Sequence, residues 1–215
     1  TENIRRASLK DSYRFVLDDL EFAAQLLKID EDNVTKNDLY NSAYFNEYTV
    51  YALRARIALY MKDYEEAIKY SSKVIDSGFY VLSSASVQYG STGQSYYQYM
   101  WTSDNSTEII LKVGFTPTSY GGALGTIFFN YDYTTVRPDY VPARWALALY
   151  DSSDLRYSTF FKSYLTGYPH ALQWHLLQKY WGNTTFFDSY NIRHTSMPKI
   201  FRLSEQYLIR AEAYC

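Results

Sequence analysis

Residues 48–78 constrain the fold most, because they carry two helical periodicities separated by one short polar turn. Small and apolar residues recur at the spacing of a helix that buries one face, first at Tyr48, Ala52, Ala55 and Leu59, and then at Tyr64, Ala67, Ile68, Val74 and Ile75. The pair Lys62 and Asp63 interrupts the pattern, and Gly78 offers a left-handed C-terminal cap. The stretch therefore predicts an αα-hairpin whose alanines let the two helices approach closely.

Two further stretches have the pattern of amphipathic helices. Residues 8–29 carry an apolar stripe with acidic residues outside it, and Ser8 with Asp11 forms a variant capping box. Residues 197–215 form the second helix, which has no C-terminal cap. Because a lone hairpin cannot bury its own apolar face, we expect these helices to stack on it. The uncapped end is typical of a chain cut within another helical hairpin, so we interpret the sequence as a fragment.

Between the helical stretches the chain is rich in Tyr, Ser, Gly and Asn. Residues 83–105 predict a long ordered loop, and residues 108–115 predict a strand. A short helix is predicted from Pro142 to Tyr150, followed by an aromatic, irregular segment over residues 160–187.

These patterns predict a mostly α protein in one continuous domain. Its expected parts are a helical part (1–80), a loop-rich aromatic insertion (81–200) and the first helix of a further, truncated repeat (201–215). At 215 residues the chain is long enough for one substantial core.

The composition excludes several classes of partner. The formal net charge is −2 and no run of Lys or Arg is present, so no nucleic acid or anionic membrane surface is expected to bind. No stretch approaches the roughly 18 to 20 apolar residues of a membrane-spanning helix, so we expect no membrane insertion by this chain. The 25 Tyr outnumber the 12 Phe, and because Tyr tolerates a wet edge, this excess favours recognition over a plain core.

The order of the motifs is similar to that of a known family. In the hairpin, Ala55, Ala58, Leu59, Asp63, Tyr64 and Ala67 resemble a tetratricopeptide repeat. The other motifs are the acidic helix with Asp19, Leu20, Ala23 and Leu26, the strand E-I-I-L-K-V, the box Y-D-S-S-D-L-R and the closing R-L-S-E-Q-Y-L-I-R-A-E-A. Together they resemble the SusD/RagB family of glycan-binding lipoproteins of Bacteroidetes, over essentially the whole chain as the middle of a longer protein.

The resemblance implies a scaffold of tetratricopeptide-like helical hairpins, an α-α superhelix, with a long irregular insertion. It implies non-catalytic binding of an oligosaccharide or polysaccharide at the surface of the outer membrane, for delivery to a SusC-like TonB-dependent transporter. It also implies anchoring by an N-terminal lipid that is not present in this chain. No cofactor is expected.

Aromatic residues of the insertion are the predicted ligand-binding positions. They lie among Gly, Ser, Asn and Gln, where a ring can stay exposed beside a hydrogen-bonding neighbour. Sugar rings stack on aromatic faces, and their hydroxyl groups bond to polar side chains. The predicted residues are Tyr96, Tyr97, Tyr99, Trp101, Tyr131, Tyr133, Trp174 and Trp181. The alternative is that most of these rings pack the insertion onto the helices.

Two other functions fit the residues. A glycoside hydrolase needs two carboxylates facing each other across a cleft, and its candidates here are Asp104, Glu108, Asp132 and Asp139. A tetratricopeptide-type scaffold would instead bind a peptide in a concave helical face.

The remaining charged motifs predict structural roles. We interpret Asp151, Asp154 and Arg156 as a capping and ion-pair cluster, because two carboxylates without a third acid or a His make a poor metal site. On the last helix, Glu205 and Glu212 are predicted to pair locally with Arg202 and Arg210. The histidines His170, His175 and His194 have no zinc-ligand spacing, so no metal is expected and no catalytic residue is assigned.

Overall fold

The computed structural model describes residues 6–29, 42–122, 124–129, 136–166, 172–186 and 193–215. Its helices and strands, in chain order, are α1 (Leu9–Leu26), α2 (Glu47–Met61), α3 (Tyr64–Ile75), α4 (Tyr96–Ser103), β1 (Ile109–Lys112), α5 (Thr126–Phe129), α6 (Arg144–Leu147), α7 (Leu155–Phe160), β2 (Phe161–Leu165), β3 (Gln173–Leu177), β4 (Lys199–Arg202) and α8 (Leu203–Tyr214). Short 3-10 turns span Gln178–Tyr180 and Thr184–Phe186.

The chain divides into two compact units. The helical unit contains Thr1–Leu82, Thr107–Lys112 and Lys199–Cys215, and the loop-rich unit contains Ser83–Ser106 and Val113–Pro198. Strand β1 and helix α8 thus belong with the first helices. The predicted division at residues 80 and 200 stays a prediction.

Helices α2 and α3 form the predicted αα-hairpin. Asn46 begins α2 with a capping box in which its side chain and that of Thr49 exchange hydrogen bonds with each other's backbone. The turn follows because Lys62 adopts a left-handed conformation with a φ of 60°. Asp63 then caps α3 by accepting the Glu66 backbone N–H. The polar pair therefore ends one helix and begins the next, as the sequence indicated.

Helix α1 starts as its sequence predicts. The Ser8 hydroxyl accepts the Asp11 backbone N–H at 3.1 Å and donates to the Asp11 carboxylate at 2.6 Å. The helix packs on α2, where Arg54 pairs with Glu21 of α1. The Arg54 guanidinium also lies 4.1 Å from the centre of the Tyr70 ring of α3, so one side chain contacts all three helices.

Small residues bring α8 close to the hairpin. Ala55, Ala58 and Ala67 are buried in one cluster with Tyr70 and with Ile209 of α8. Because an alanine side chain is small, it lets the axes of two packed helices lie close together. It also leaves space for a large neighbouring side chain such as Tyr70. The close approach predicted for the hairpin thus also accommodates the last helix.

Strands β1 and β4 pair antiparallel and complete the core of the helical unit. The predicted strand over residues 108–115 is confirmed, with a shorter extent of Ile109–Lys112. Ile110, Leu111 and Phe201 from the two strands pack with Tyr48 of α2 in one buried cluster.

The local ion pairs predicted for α8 are wrong. Glu205 binds Arg56 of α2, Arg202 binds Glu108 beside β1, and Arg210 binds Asp76 after α3. The short sequence distances between these residues suggested pairs within the helix, but the fold offers partners from three other segments.

Within the loop-rich unit, β2 and β3 form a β-hairpin that places Tyr164 opposite Trp174. The interpretation of residues 160–187 as irregular is therefore wrong for this part. Leu176 of β3 is buried against Phe129 and Val136, with Trp174 packed partly against them. The strand pattern was obscured because aromatic residues occur on both faces, so the usual polar and apolar alternation is lost.

The predicted long loop also contains a helix, α4. The start of this helix could have been predicted from the sequence. Ser95 accepts the Gln98 backbone N–H, and the Gln98 side chain accepts the Ser95 backbone N–H. This is the S-x-x-Q capping box. The helix expected from Pro142 to Tyr150 is only one turn long, Arg144–Leu147.

The mostly helical fold class is confirmed. Within the described ranges, no helix combines the length and the apolar character that crossing a membrane requires.

Candidate functional site

The predicted aromatic residues that the structure describes fall into four environments of the loop-rich unit. Tyr131 and Tyr133 lie outside the described residues. The other six divide between two packed clusters, a partly exposed tyrosine cluster and a small pocket.

Trp101 belongs to a packed cluster. It is buried, its ring meets Phe160 edge to face at 5.3 Å, and the Lys179 ammonium lies 4.5 Å from its ring centre. Tyr97 extends this cluster, 6.1 Å from Phe160. Because the face of Trp101 already carries a cation, a sugar has little of this ring to stack on.

Trp181 is held by rings on several sides. It stacks on Tyr164 at 5.9 Å, meets Phe129 edge to face at 4.8 Å and meets His194 at 5.2 Å. The Trp181 carbonyl also contacts His194 Nδ1 at 2.8 Å. Trp101 and Trp181 therefore pack against residues of the loop-rich unit itself, and their packing onto the helices stays untested.

Tyr96 and Tyr99 lie in a partly exposed cluster with Tyr89, which we call the tyrosine cluster. The rings of Tyr89 and Tyr99 stack with their centres 3.7 Å apart, and Tyr96 meets Tyr89 edge to face at 5.4 Å. The neighbouring Tyr99 hydroxyl raises the pKa of Tyr89. Tyr96 and Tyr99 are one helical turn apart on α4, whereas Tyr89 reaches them from the preceding turn, so sequence spacing alone did not reveal it.

A tight turn holds Tyr89 over α4. Its backbone N–H donates to the Gln94 carbonyl at 2.8 Å, and the Gln94 side chain accepts from Thr102 of α4 at 2.9 Å. Gly90 and Gly93 have φ values of 52° and 72°, which a side chain would disfavour.

Trp174 lines a pocket of about 200 Å³, which we call the Trp174 pocket. Its lining residues come from α6 and from the start of β3: Pro142, Arg144, Leu147, Leu172, Gln173, Trp174 and His175. The β2–β3 hairpin fixes Trp174 through its pairing with Tyr164. Beside the pocket, Trp145 is 72% exposed.

Three polar side chains of the pocket are available to a ligand. Arg144, Gln173 and His175 make no side-chain hydrogen bond or ion pair within the described residues. In contrast, Arg56 and Arg202 each bind a carboxylate. Unused donors beside a half-buried Trp are the combination expected of a polar-ligand site.

These three polar residues were not predicted. Gln173 and His175 flank the predicted Trp174 in the sequence, which was a usable signal. Arg144 precedes Trp174 by thirty positions and is brought to it only by the fold, so no local pattern could reveal it.

Two of the acidic residues considered for hydrolysis, Asp104 and Glu108, have structural partners. Asp104 is fully buried and accepts from Asn183 Nδ2 at 3.1 Å and from the Met197 backbone N–H at 2.9 Å. Glu108 accepts from Arg202 at 2.8 Å and from Ser204 at 2.9 Å. Asp139 is exposed, and Asp132 lies outside the described residues.

The predicted capping cluster is confirmed. Asp154 caps α7 by accepting the Arg156 backbone N–H at 2.8 Å and pairs with the Arg156 guanidinium at 2.6 Å. This hydrogen bonding lowers the pKa of Asp154. Asp151 accepts from Ser153. In the part of the chain that the structure describes, no group of three His, Cys, Asp or Glu side chains could hold a metal ion.

A separate apolar groove of about 710 Å³ lies in the helical unit. The first half of α1 and the end of α2 line it, with Leu9, Tyr13, Leu17, Tyr60 and Met61 as its main apolar residues. It differs from the Trp174 pocket because apolar surface dominates it.

Comparison with known proteins identifies the fold of this chain. No protein-family model matches the sequence, and no curated protein matches it. Among solved structures, a SusD superfamily protein from Bacteroides thetaiotaomicron matches with a TM-score of 0.69 and 23% identity over 97% of this chain. The chain has the SusD-like fold. The resemblance to this family is thereby confirmed at the level of the fold.

Further structures support the SusD-like fold. A SusD-like carbohydrate binding protein from Bacteroides vulgatus matches with a TM-score of 0.67 and 20% identity over 96% of the chain. A surface glycan-binding protein A from Bacteroides thetaiotaomicron, in complex with laminarihexaose, matches with a TM-score of 0.59 and 19% identity over 94%. The SusD-like chain spans 43%, 40% and 49% of these three proteins, respectively.

Proposed function

We propose that this SusD-like protein binds an oligosaccharide or polysaccharide without catalysis, and that the Trp174 pocket contacts the glycan. The observation that carries the proposal is that Trp174 lines one pocket with Arg144, Gln173 and His175, which make no side-chain hydrogen bond or ion pair within the described residues. The pocket lining thus combines a ring for stacking with hydrogen-bonding groups.

The physical match is with a sugar ring. A pyranose presents C–H groups on its faces and hydroxyl groups at its edge, so it can stack on an indole while its edge bonds to polar side chains. An amide such as Gln173 both donates and accepts, which suits a hydroxyl group. The pocket volume of about 200 Å³ is below the roughly 300–1,000 Å³ of drug-sized sites. One sugar residue would therefore enter it, and the rest of the glycan would lie outside.

Proteins with the same fold support this proposal. One match is described as a laminarin-binding SusD-like protein, and another was solved with laminarihexaose. By analogy, the protein would act at the cell surface, anchored to the outer membrane by an N-terminal lipid, and deliver its glycan to a SusC-like TonB-dependent transporter. These finer features rest on the family resemblance.

Calorimetric titration with a panel of neutral and acidic oligosaccharides tests the proposal. We expect saturable binding of at least one glycan, weakened tenfold or more by Trp174→Ala. The matched control is Tyr214→Ala, which removes an exposed aromatic ring in the helical unit and should leave the affinity unchanged. Absence of binding across the panel would contradict the proposal, and release of shorter products would contradict its non-catalytic part.

The apolar groove of the helical unit favours a second candidate, a scaffold that binds an amphipathic peptide helix. Apolar grooves between helices accept such helices through residues spaced three and four apart. Met61→Glu would place a charge in this groove. If the protein is such a scaffold, Met61→Glu should abolish peptide binding. The same variant should leave glycan affinity unchanged.

A further inference from the structure

We infer that the Trp174 pocket selects a glycan that carries carboxylate groups, a uronic-acid-containing chain. This inference rests on the proposed glycan binding and adds the chemical class of the sugar. It follows from the charges that line the pocket.

Among the described residues, the lining of the pocket contains no carboxylate. Arg144 is its charged residue, and the others are Gln173, His175, Trp174 and apolar side chains. A site for neutral sugars benefits from acidic acceptors, because hydroxyl groups donate strongly to a carboxylate. Here the described lining offers a guanidinium and no carboxylate, so the pocket is complementary to an anionic acceptor on the ligand.

Arg144 is suited to supply the key contact. A guanidinium matches a carboxylate with two parallel hydrogen bonds and is less strongly hydrated than an ammonium group. Arg54, Arg56 and Arg156 each already bind a carboxylate of the protein. Arg144 has no such partner among the described residues, so its charge is available to a ligand.

The position of Arg144 beside Trp174 sets the geometry of recognition. A uronic acid carries its carboxylate on the ring carbon that bears the hydroxymethyl group in a neutral hexose, at the edge of the ring. A uronate stacked on Trp174 would therefore present this group sideways to the pocket wall.

The test compares sugars that differ only in charge. Oligogalacturonate and the oligosaccharides of glucuronoxylan would be titrated into the protein beside their carboxyl-reduced counterparts, which keep the chain and linkage. We expect each acidic glycan that binds to do so at least tenfold more tightly than its reduced form. Arg144→Gln should remove this preference, Arg144→Lys should keep part of it, and the control Lys162→Gln, a cation of β2 outside the pocket, should not affect it.

The outcomes separate this inference from the proposed function. Equal affinity for acidic and reduced forms, or binding of neutral glycans only, would overturn the inference and leave glycan binding intact. A preference for the acidic glycan that survives Arg144→Gln would also overturn the inference, because a group other than Arg144 would then bind the carboxylate. No binding of any glycan, acidic or neutral, would overturn both.

Discussion

Arg56 and Glu205, 149 positions apart in the sequence, form a two-pronged ion pair: Arg56 Nε lies 2.6 Å from Glu205 Oε1, and Nη2 lies 2.7 Å from Oε2. The guanidinium also donates to the Ile200 carbonyl at 2.8 Å and lies 4.1 Å from the centre of the Phe201 ring. One side chain of α2 therefore holds β4 and the first turn of α8.

Loss of this pair should destabilise the helical unit. We expect Glu205→Ala to lower the free energy of unfolding by about 1–3 kcal/mol, because a bidentate pair that is only partly exposed is lost. Glu212→Ala removes an exposed carboxylate from the same helix and should cost less than about 0.5 kcal/mol. Urea unfolding of both variants measures these two losses. Equal losses of unfolding free energy would show that the Arg56–Glu205 pair adds little to stability.

Gly125 should be irreplaceable for a steric reason. A Cβ at this position would overlap the Tyr180 carbonyl oxygen and would lie 3.1 Å from that of His194. We therefore expect Gly125→Ala to destabilise the protein by about 2–4 kcal/mol, since backbone must move.

Gly121→Ala is the matched control for Gly125. Its Cβ would meet only the outer ring atoms of Phe115, which a small side-chain rotation relieves. Thermal unfolding should therefore show a large loss for Gly125→Ala and a small one for Gly121→Ala. A tolerated Gly125→Ala would contradict the close approach of these segments.

His194 should make stability depend on pH. Burial lowers the pKa of His194, Arg193 lowers it further, and the bond to the Trp181 carbonyl acts in the opposite direction. The unfolded chain, with a histidine pKa of about 6.5, therefore takes up the proton first as the pH falls. The contribution of neutral His194 to the free energy of unfolding is fully present above about pH 6.5. It decreases as the pH falls and stops decreasing once the pH is below the lowered pKa of the folded state.

Denaturant unfolding between pH 8 and pH 5 checks the His194 prediction. His194→Asn keeps an amide nitrogen near the position of Nδ1 and should flatten the loss of stability below pH 6.5. His175→Gln removes an exposed imidazole and should leave the profile unchanged. An unaltered profile in His194→Asn would assign the pH dependence to other groups.

The three tryptophans predicted as ligand contacts should separate into two classes. Trp101 and Trp181 pack against other rings, so replacement by Ala should cost about 3–5 kcal/mol of stability. Trp174→Ala should reduce glycan affinity more than tenfold with a smaller loss of stability. Parallel unfolding and titration measurements on the three variants check this division.

The sequence predicted what local periodicity encodes. The stripe from Tyr48 to Leu59 and the polar pair Lys62 and Asp63 determine the hairpin within one short stretch, so its helices, turn and caps could be predicted. Helix α4 has only eight residues, and its capping box at Ser95 lies in a Ser-rich and Tyr-rich segment, which favoured a loop.

The site depended on contacts that no local pattern displays. Trp101, Trp174 and Trp181 occur in similar sequence contexts, but their partners Lys179, Arg144 and Tyr164 come from other segments. Whether a ring is covered or open is decided by those partners. The aromatic excess therefore predicted the kind of surface, whereas the particular residues needed the fold.

The central claim is that a glycan contacts the ring of Trp174, and the indole N–H signals of ¹⁵N-labelled protein test it most directly. The chain has four Trp, so each signal can be assigned with single Trp→Phe variants. During titration with a glycan that binds, we expect the Trp174 signal to shift saturably while those of Trp101 and Trp181 stay in place. A saturable shift of Trp101 or Trp181 with an unmoved Trp174 signal would contradict the account.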